Sequence, residues 1–260
     1  MVRSIILVHG AWQGSWAFNA WTPLLEAAGW RVHAVDLPGN GWGPMARARA
    51  DLDSYVRTVT EELHAIGEPA VLVGHSGGGI TVSQVAEALP EQVAALVYLA
   101  GMMLPTGLGF EAVVAQAEAQ ARVPAGTYSG IGPYLEWNSD RTISRVRPAG
   151  AMACFLHDCP PEAASRAAGL LQPQPQSGRT MRNHLSPGRF GRVPRIYVEC
   201  EQDRSVLPAL QRLMQQLVPG AKRIALPCGH VPQLACPDAL TRLLLPELEA
   251  LRQPLASPPT

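Results

Sequence analysis

The chain has 260 residues, 47% of them hydrophobic and 16% charged, with 21 basic and 21 acidic side chains. This composition excludes a disordered chain, and a single α/β domain suffices for the length. The absence of any Lys/Arg run or basic stripe predicts no nucleic-acid and no membrane partner.

Five cysteines without C-x-x-C spacing read as reduced thiols and predict a cytoplasmic protein. Near the start, Ile5-Ile6-Leu7-Val8 is an apolar run of strand length, too short for the h-region of a secretory signal. No apolar run approaches the ~18 residues that span a bilayer.

Strand and helix patterns alternate from there. Residues 5–8 and 31–36 read as strands, with a helix over 21–28 between them. Leu52, Tyr55, Val56, Val59, Leu63 and Ile66 mark one face of a second helix. Residues 70–73 form a third strand, 77–89 a helix and 93–100 a fourth strand. Near-continuous apolar strands separated by amphipathic helices imply a mostly parallel, doubly wound sheet covered on both faces.

The alternation breaks over residues 103–192. Helices are predicted over 112–121 and 161–171, and "QPQPQSG" (172–178) reads as a loop. Tyr128, Tyr134, Leu135, Trp137, Phe155 and Leu156 supply apolar bulk that a linker would lack, so the segment reads as an inserted, mainly helical lid. Alternation resumes with strands over 195–200 and 223–226 and helices near 206–217 and 238–251. The core is thus expected at 1–102 and 193–252, the lid at 103–192, and a flexible tail at 253–260.

Between the third strand and its helix lies Gly74-His75-Ser76-Gly77-Gly78. Glycines two before and two after Ser76 relieve a sharp strand-to-helix turn that holds the hydroxyl out at the strand end, the geometry of a nucleophile elbow. A serine needs a base to take its proton and an acid to orient that base. His230, in "LPCGHVPQL" just past the last strand, is placed to be the base. Asp203, on the loop after strand 195–200, is the candidate acid, with Glu201 the alternative and a helix N-cap the structural role open to Asp203. The backbone N–H groups of Gly77 and of Ala11, in "LVHGAWQGSW", are candidate oxyanion donors, with His9 bracing the loop. Alternation along the strand points His75 away from Ser76. Trp12, Tyr128, Trp137 and Val231 are expected on the substrate pocket. Arg and Lys are not concentrated near these motifs, which predicts against a highly anionic substrate. The cysteines and histidines form no metal-ligand cluster, and "LPGNGWG" lacks dinucleotide-binding spacing, so no cofactor is expected.

Taken together, "LVHGAWQGSWAFNAWTPLLEAAGWRVHAVDLPGNG", "VGHSGGG", "VECEQD" and "CGHVPQL" resemble the α/β-hydrolase superfamily. More narrowly they resemble its plant methylesterase and hydroxynitrile lyase branch, with bacterial pyrethroid-hydrolase-like carboxylesterases. "CFLHDCPPEAASRAAGLLQPQP" is similar to the lid of the bacterial members. The resemblance implies an α/β-hydrolase fold with Ser76, Asp203 and His230 as triad and Ala11 and Gly77 as oxyanion-hole amides. It also implies ester hydrolysis, and the lid, rich in Tyr, Trp, Phe and Leu, predicts a small apolar or aromatic substrate. An amide, lactone, thioester or carbon–carbon bond remains open to the same triad. The lyases of the branch carry threonine at the position of Gly10 and lysine at that of Val231, which disfavours lyase chemistry here. A non-catalytic ligand receptor on the same scaffold is the third reading. The oligomeric state is left open, a homodimer being one option.

Overall fold

Runs rich in Val, Ile and Leu, apolar on both sides, can be buried only in the middle layer of a three-layer fold. The computed structural model describes residues 2–40 and 45–251 and places four such runs at the centre of one six-stranded parallel sheet, with a more polar strand at each edge. Its strands are β1 (Ser4–Val8), β2 (Arg31–Val35), β3 (Ala70–His75), β4 (Val93–Leu99), β8 (Arg195–Cys200) and β9 (Ala221–Leu226), in the order β2-β1-β3-β4-β8-β9. The register sets Ile5 against Val32 on one side and Val71 on the other.

Side chains alternate between two cores. Ile6, Val8, Leu72, Leu96, Tyr98 and Tyr197 pack under α2 (Leu52–Ile66), α3 (Gly78–Ala88), α4 (Phe110–Ala121) and α7 (Pro208–Leu217). Ile5, Leu7, Val71, Val73, Val97 and Val198 face α1 (Thr22–Ala27) and α9 (Pro237–Ala250). The helix starts are fixed locally. In α2 the Asp51 carboxylate accepts from Ser54 N–H at 2.9 Å, and Ser54 Oγ accepts from Asp51 N–H at 3.0 Å.

After β1 the chain steps outward to β2, then returns to the other flank of β1 as β3. The connections therefore diverge between β1 and β3, which opens a crevice at the C-terminal ends of those strands. The loop after β1 and the elbow after β3 meet there.

The expected lid carries more strand than the sequence suggested. Strands β5 (Leu135–Trp137), β6 (Ile143–Val146) and β7 (Gln174–Pro175) form a small antiparallel sheet. The segment 172–178, read as a loop, contains β7 and a 3-10 turn, Gln176–Gly178. Its helices are α4, then α5 (Pro148–Gly150) running into a π-helical turn over Ala151–Phe155, and α6 (Pro161–Leu170), joined by loops and short 3-10 turns. A short helix, α8 (Pro232–Ala235), follows His230. The expected tail, 253–260, lies outside the described residues.

Candidate active site

Ser76 stands at the strand-to-helix turn with φ 52, in the left-handed region that costs a non-glycine residue roughly 1–3 kcal/mol. Its backbone is pinned on both sides. Its N–H donates to Leu99 O at 3.2 Å, and its carbonyl accepts from Met102 N–H at 2.8 Å and Gly79 N–H at 3.1 Å. The turn needs glycine where backbones nearly touch. A Cβ on Gly78 would lie 2.4 Å from Val8 O, and one on Gly10 would lie 2.6 Å from Ser76 Cβ. The glycines therefore bring β1, its loop and the elbow close enough to share a site.

Neither Ala11 N–H nor Gly77 N–H donates to any acceptor among the described residues. The two amides are neighbours, since a Cβ on Gly77 would lie 3.8 Å from Ala11 N. Unspent donors side by side at a helix N-terminus suit a developing oxyanion. The preceding His9 holds this loop. Leu37 N–H donates to His9 Nε2 at 3.0 Å, which fixes the tautomer so that Nδ1–H donates to Gly10 O at 2.8 Å. Burial pushes the pKa of His9 down, which keeps the ring neutral.

Asp203 and His230, distant in sequence, form a buried pair with Nδ1–H donating to Oδ2 at 2.8 Å. The other carboxylate oxygen accepts Ser205 N–H at 2.7 Å and Val206 N–H at 2.9 Å. Asp203 thus caps its own loop and orients the imidazole at once. Glu201 is exposed, and Glu199 is buried against Arg212 and Arg223, so neither competes for the role. Ser76 Oγ and His230 Nε2 make no hydrogen bond within 3.5 Å; such bonds commonly tighten only around substrate.

Four residues to which sequence reasoning gave no role at the site hold the loops of the base and the acid. His75 points away from the cavity as alternation requires, but its Nε2–H donates to His230 O at 2.8 Å, and its Nδ1 meets the Gln13 carboxamide at 2.9 Å. Burial, then the neighbouring His230, pushes the pKa of His75 well down. From the insert, Asp158 accepts Gly229 N–H at 2.5 Å, and His157 Nε2–H donates to Gln202 O at 3.1 Å. The adjacent pair His157-Asp158 therefore grips the residues just before the base and just before the acid. Phe155 stacks on the His230 ring at 5.2 Å. The only sequence signal for this latch was its place within the lid motif.

A cavity of about 410 Å³ lies between the sheet edge and the insert. Ser76, Gly10, Trp12, Leu37 and Ile80 form its buried end, and exposed Glu111, Arg141, Thr180 and Arg182 its rim. Trp12, Tyr128 and Trp137 line it. Val231 does not: it is turned into a cluster with Trp12, Phe155 and Leu156, because the chain folds back directly into α8. The Trp12 backbone has φ 63. Its N–H donates to Gln174 Oε1 at 3.2 Å and its indole N–H to Ser144 Oγ at 3.1 Å. Three arginines reach the cavity, Arg141, Arg179 and Arg182, all from the insert. The expectation of an arginine-poor site is corrected on this point: chain distance from the motifs said nothing about spatial distance. Among the described residues, no group of three His, Cys, Asp or Glu side chains is arranged to hold a metal ion.

The sequence matches the Alpha/beta hydrolase family over residues 5–243. It is 31% identical to a pyrethroid hydrolase of Sphingobium wenxiniae over 94% of this chain and 86% of that one. It is 28% identical to salicylic acid-binding protein 2 of Nicotiana tabacum, over 94% and 96% of the two chains. The crystal structure of a pyrethroid hydrolase from Sphingobium faniae matches with a TM-score of 0.84 and 29% identity, covering 96% of this chain and 98% of that one.

Proposed function

Because the chain belongs to the alpha/beta hydrolase family, we propose that it is a carboxylesterase-type serine hydrolase acting on a small, largely apolar or aromatic ester. The observation that carries this reading is Ser76, held at φ 52 on the cavity wall beside two undonated backbone N–H groups. Ser76 Oγ attacks the ester carbonyl as His230 Nε2 takes its proton. Asp203 keeps Nδ1 protonated and stabilises the imidazolium. The Ala11 and Gly77 amides bind the oxyanion, which is worth roughly 3–4 kcal/mol per donor where such donors have been removed. His230 then protonates the leaving alcohol. Water, activated by the same base, clears the acyl-enzyme.

The names of the relatives support an ester substrate: pyrethroid hydrolase, methylesterase 1 of Arabidopsis thaliana and esterase PIR7B of rice among them. Aromatic and aliphatic walls support an apolar acyl or alkoxy group. Val231, where hydroxynitrile lyases of the branch carry lysine, leaves no cation beside the base for a departing cyanide. The five free cysteines fit the reducing cytoplasm expected from sequence.

Release of p-nitrophenol from short-chain p-nitrophenyl esters tests the proposal. Ser76→Ala is expected to lower kcat by roughly 10⁴-fold or more, as for other triad serines. Equal rates in both proteins would remove Ser76 from the mechanism.

A further inference from the structure

The insert places on the cavity wall a charge that the proposed ester chemistry does not use. The Arg179 guanidinium lies over the Trp12 ring, 4.5 Å from its centroid, and 5.6 Å from that of Trp137. Among the described residues its one hydrogen bond to a side chain is Nη1–H donating to Gln176 Oε1 at 2.9 Å. Among the described residues no carboxylate lies within 4.0 Å of it; Glu111, on the same wall, acts on it only at longer range. Arg141 and Arg182 are exposed at the rim, whereas Arg179 is half-buried. Its burial pushes its pKa down to about 10, which leaves it cationic at neutral pH.

A guanidinium with five donors, held over an indole ring, is suited to binding a planar anion. The Trp12 contact and the Gln176 bond leave further N–H donors for a ligand. Trp12 directly follows Ala11, whose amide is one of the two oxyanion donors, and Arg179 lines the same cavity as Ser76.

We propose that Arg179 forms a carboxylate subsite, and that the substrate is a half-ester: an apolar or aromatic ester bearing a second, ionised carboxylate at the end remote from the scissile bond. This rests on the esterase reading for the identity of the reaction, but not for the binding of the anion. It also refines the sequence expectation: one carboxylate is recognised, beside the aromatic and aliphatic walls.

Calorimetric titration of 3-phenylpropanoate and its neutral analogue 3-phenylpropanamide tests the subsite without turnover. The protein is expected to bind the acid about tenfold or more tightly than the amide, in keeping with a charge-assisted hydrogen bond in a partly dry site. Arg179→Met is expected to abolish that preference while leaving amide binding within about threefold, and Arg179→Lys to keep part of it. In parallel, Arg179→Met is expected to lower kcat/KM for mono-4-nitrophenyl glutarate by about tenfold and for 4-nitrophenyl pentanoate by less than threefold. Equal affinity of the unaltered protein for acid and amide would overturn the subsite, with no variant required. So would equal losses on the charged and neutral esters in Arg179→Met, which would mark a packing role against Trp12. Tight acid binding without turnover of any ester would sustain the subsite and remove the esterase reading.

Discussion

The two walls of the cavity are built by different means. On the sheet side, backbone does the work: a left-handed Ser76, two undonated amides and glycines where a Cβ would strike Val8 O or Ser76 Cβ. On the insert side, side chains do it: Arg179 on Trp12, Gln174 on the Trp12 amide, and Asp158 on Gly229 N–H. A backbone wall tolerates almost no substitution and fixes the reaction. A side-chain wall can be rebuilt residue by residue and fixes what is bound. The contrast yields measurable differences in how each wall responds to mutation.

The largest effect is expected on the backbone wall. Gly10→Thr places a Cβ 2.6 Å from that of Ser76, so the nucleophile must shift. A displacement near 1 Å costs roughly 10²-fold in rate. Ester turnover should therefore fall by about that factor or more, while circular dichroism stays native. Unchanged kcat would show that the sheet wall is more yielding than its contacts imply.

A smaller effect is expected across the latch. Asp158→Ala leaves Gly229 N–H without its acceptor and frees the loop that carries His230. A lost charge-assisted bond of this kind, worth about 1.5–3 kcal/mol, should cost roughly tenfold or more in kcat with KM little changed. A loss confined to KM would assign Asp158 to substrate binding and blur the division between the walls.

The smallest effect is on stability. The buried rings of His9 and His75 both have pKa values below the ordinary 6.5. Below about pH 6.5 the unfolded chain takes up protons that the folded one does not, so stability falls as pH falls, by up to about 1.4 kcal/mol per pH unit for each ring. Above that pH both states are neutral at these rings and the dependence vanishes. Thermal denaturation from pH 7.5 to 5.5 should show the decline, and His75→Gln should flatten part of it. Equal slopes in the two proteins would mean that other groups govern the acid limb.

How much of this the sequence disclosed follows the same line. The four inner strands of the main sheet, β1, β3, β4 and β8, could be read because a strand buried on both faces must be a continuous apolar run bounded by turns, and the half-exposed edge strands β2 and β9 from their place in the strand–helix alternation. Ser76, Asp203 and His230 could be placed as candidates because strand ends and chain order confine them to three loops. In the insert only the helices α4 and α6 and the pocket aromatics Tyr128 and Trp137 were legible. Strands β5 to β7 span three, four and two residues, too few for any period to register. Gln174, within a proline-rich run read as a loop, bonds to Trp12, Asn40 and Tyr55. Nothing local to residue 179 indicates that it will lie on Trp12, a contact that exists only after the sheet and the insert have closed on each other. Alternation placed His75 on the correct side but was silent on what it meets there.

The latch also bears on the route into the site. His157 and Asp158 bind the loops of the acid and the base, so swinging that flank of the insert outward would unseat both. The cavity meets solvent at its rim, beside Glu111, Arg141 and Arg182. A molecule entering there passes charged side chains first and the serine last. Its ionic character is thus sampled at the threshold, ahead of any commitment to bond cleavage.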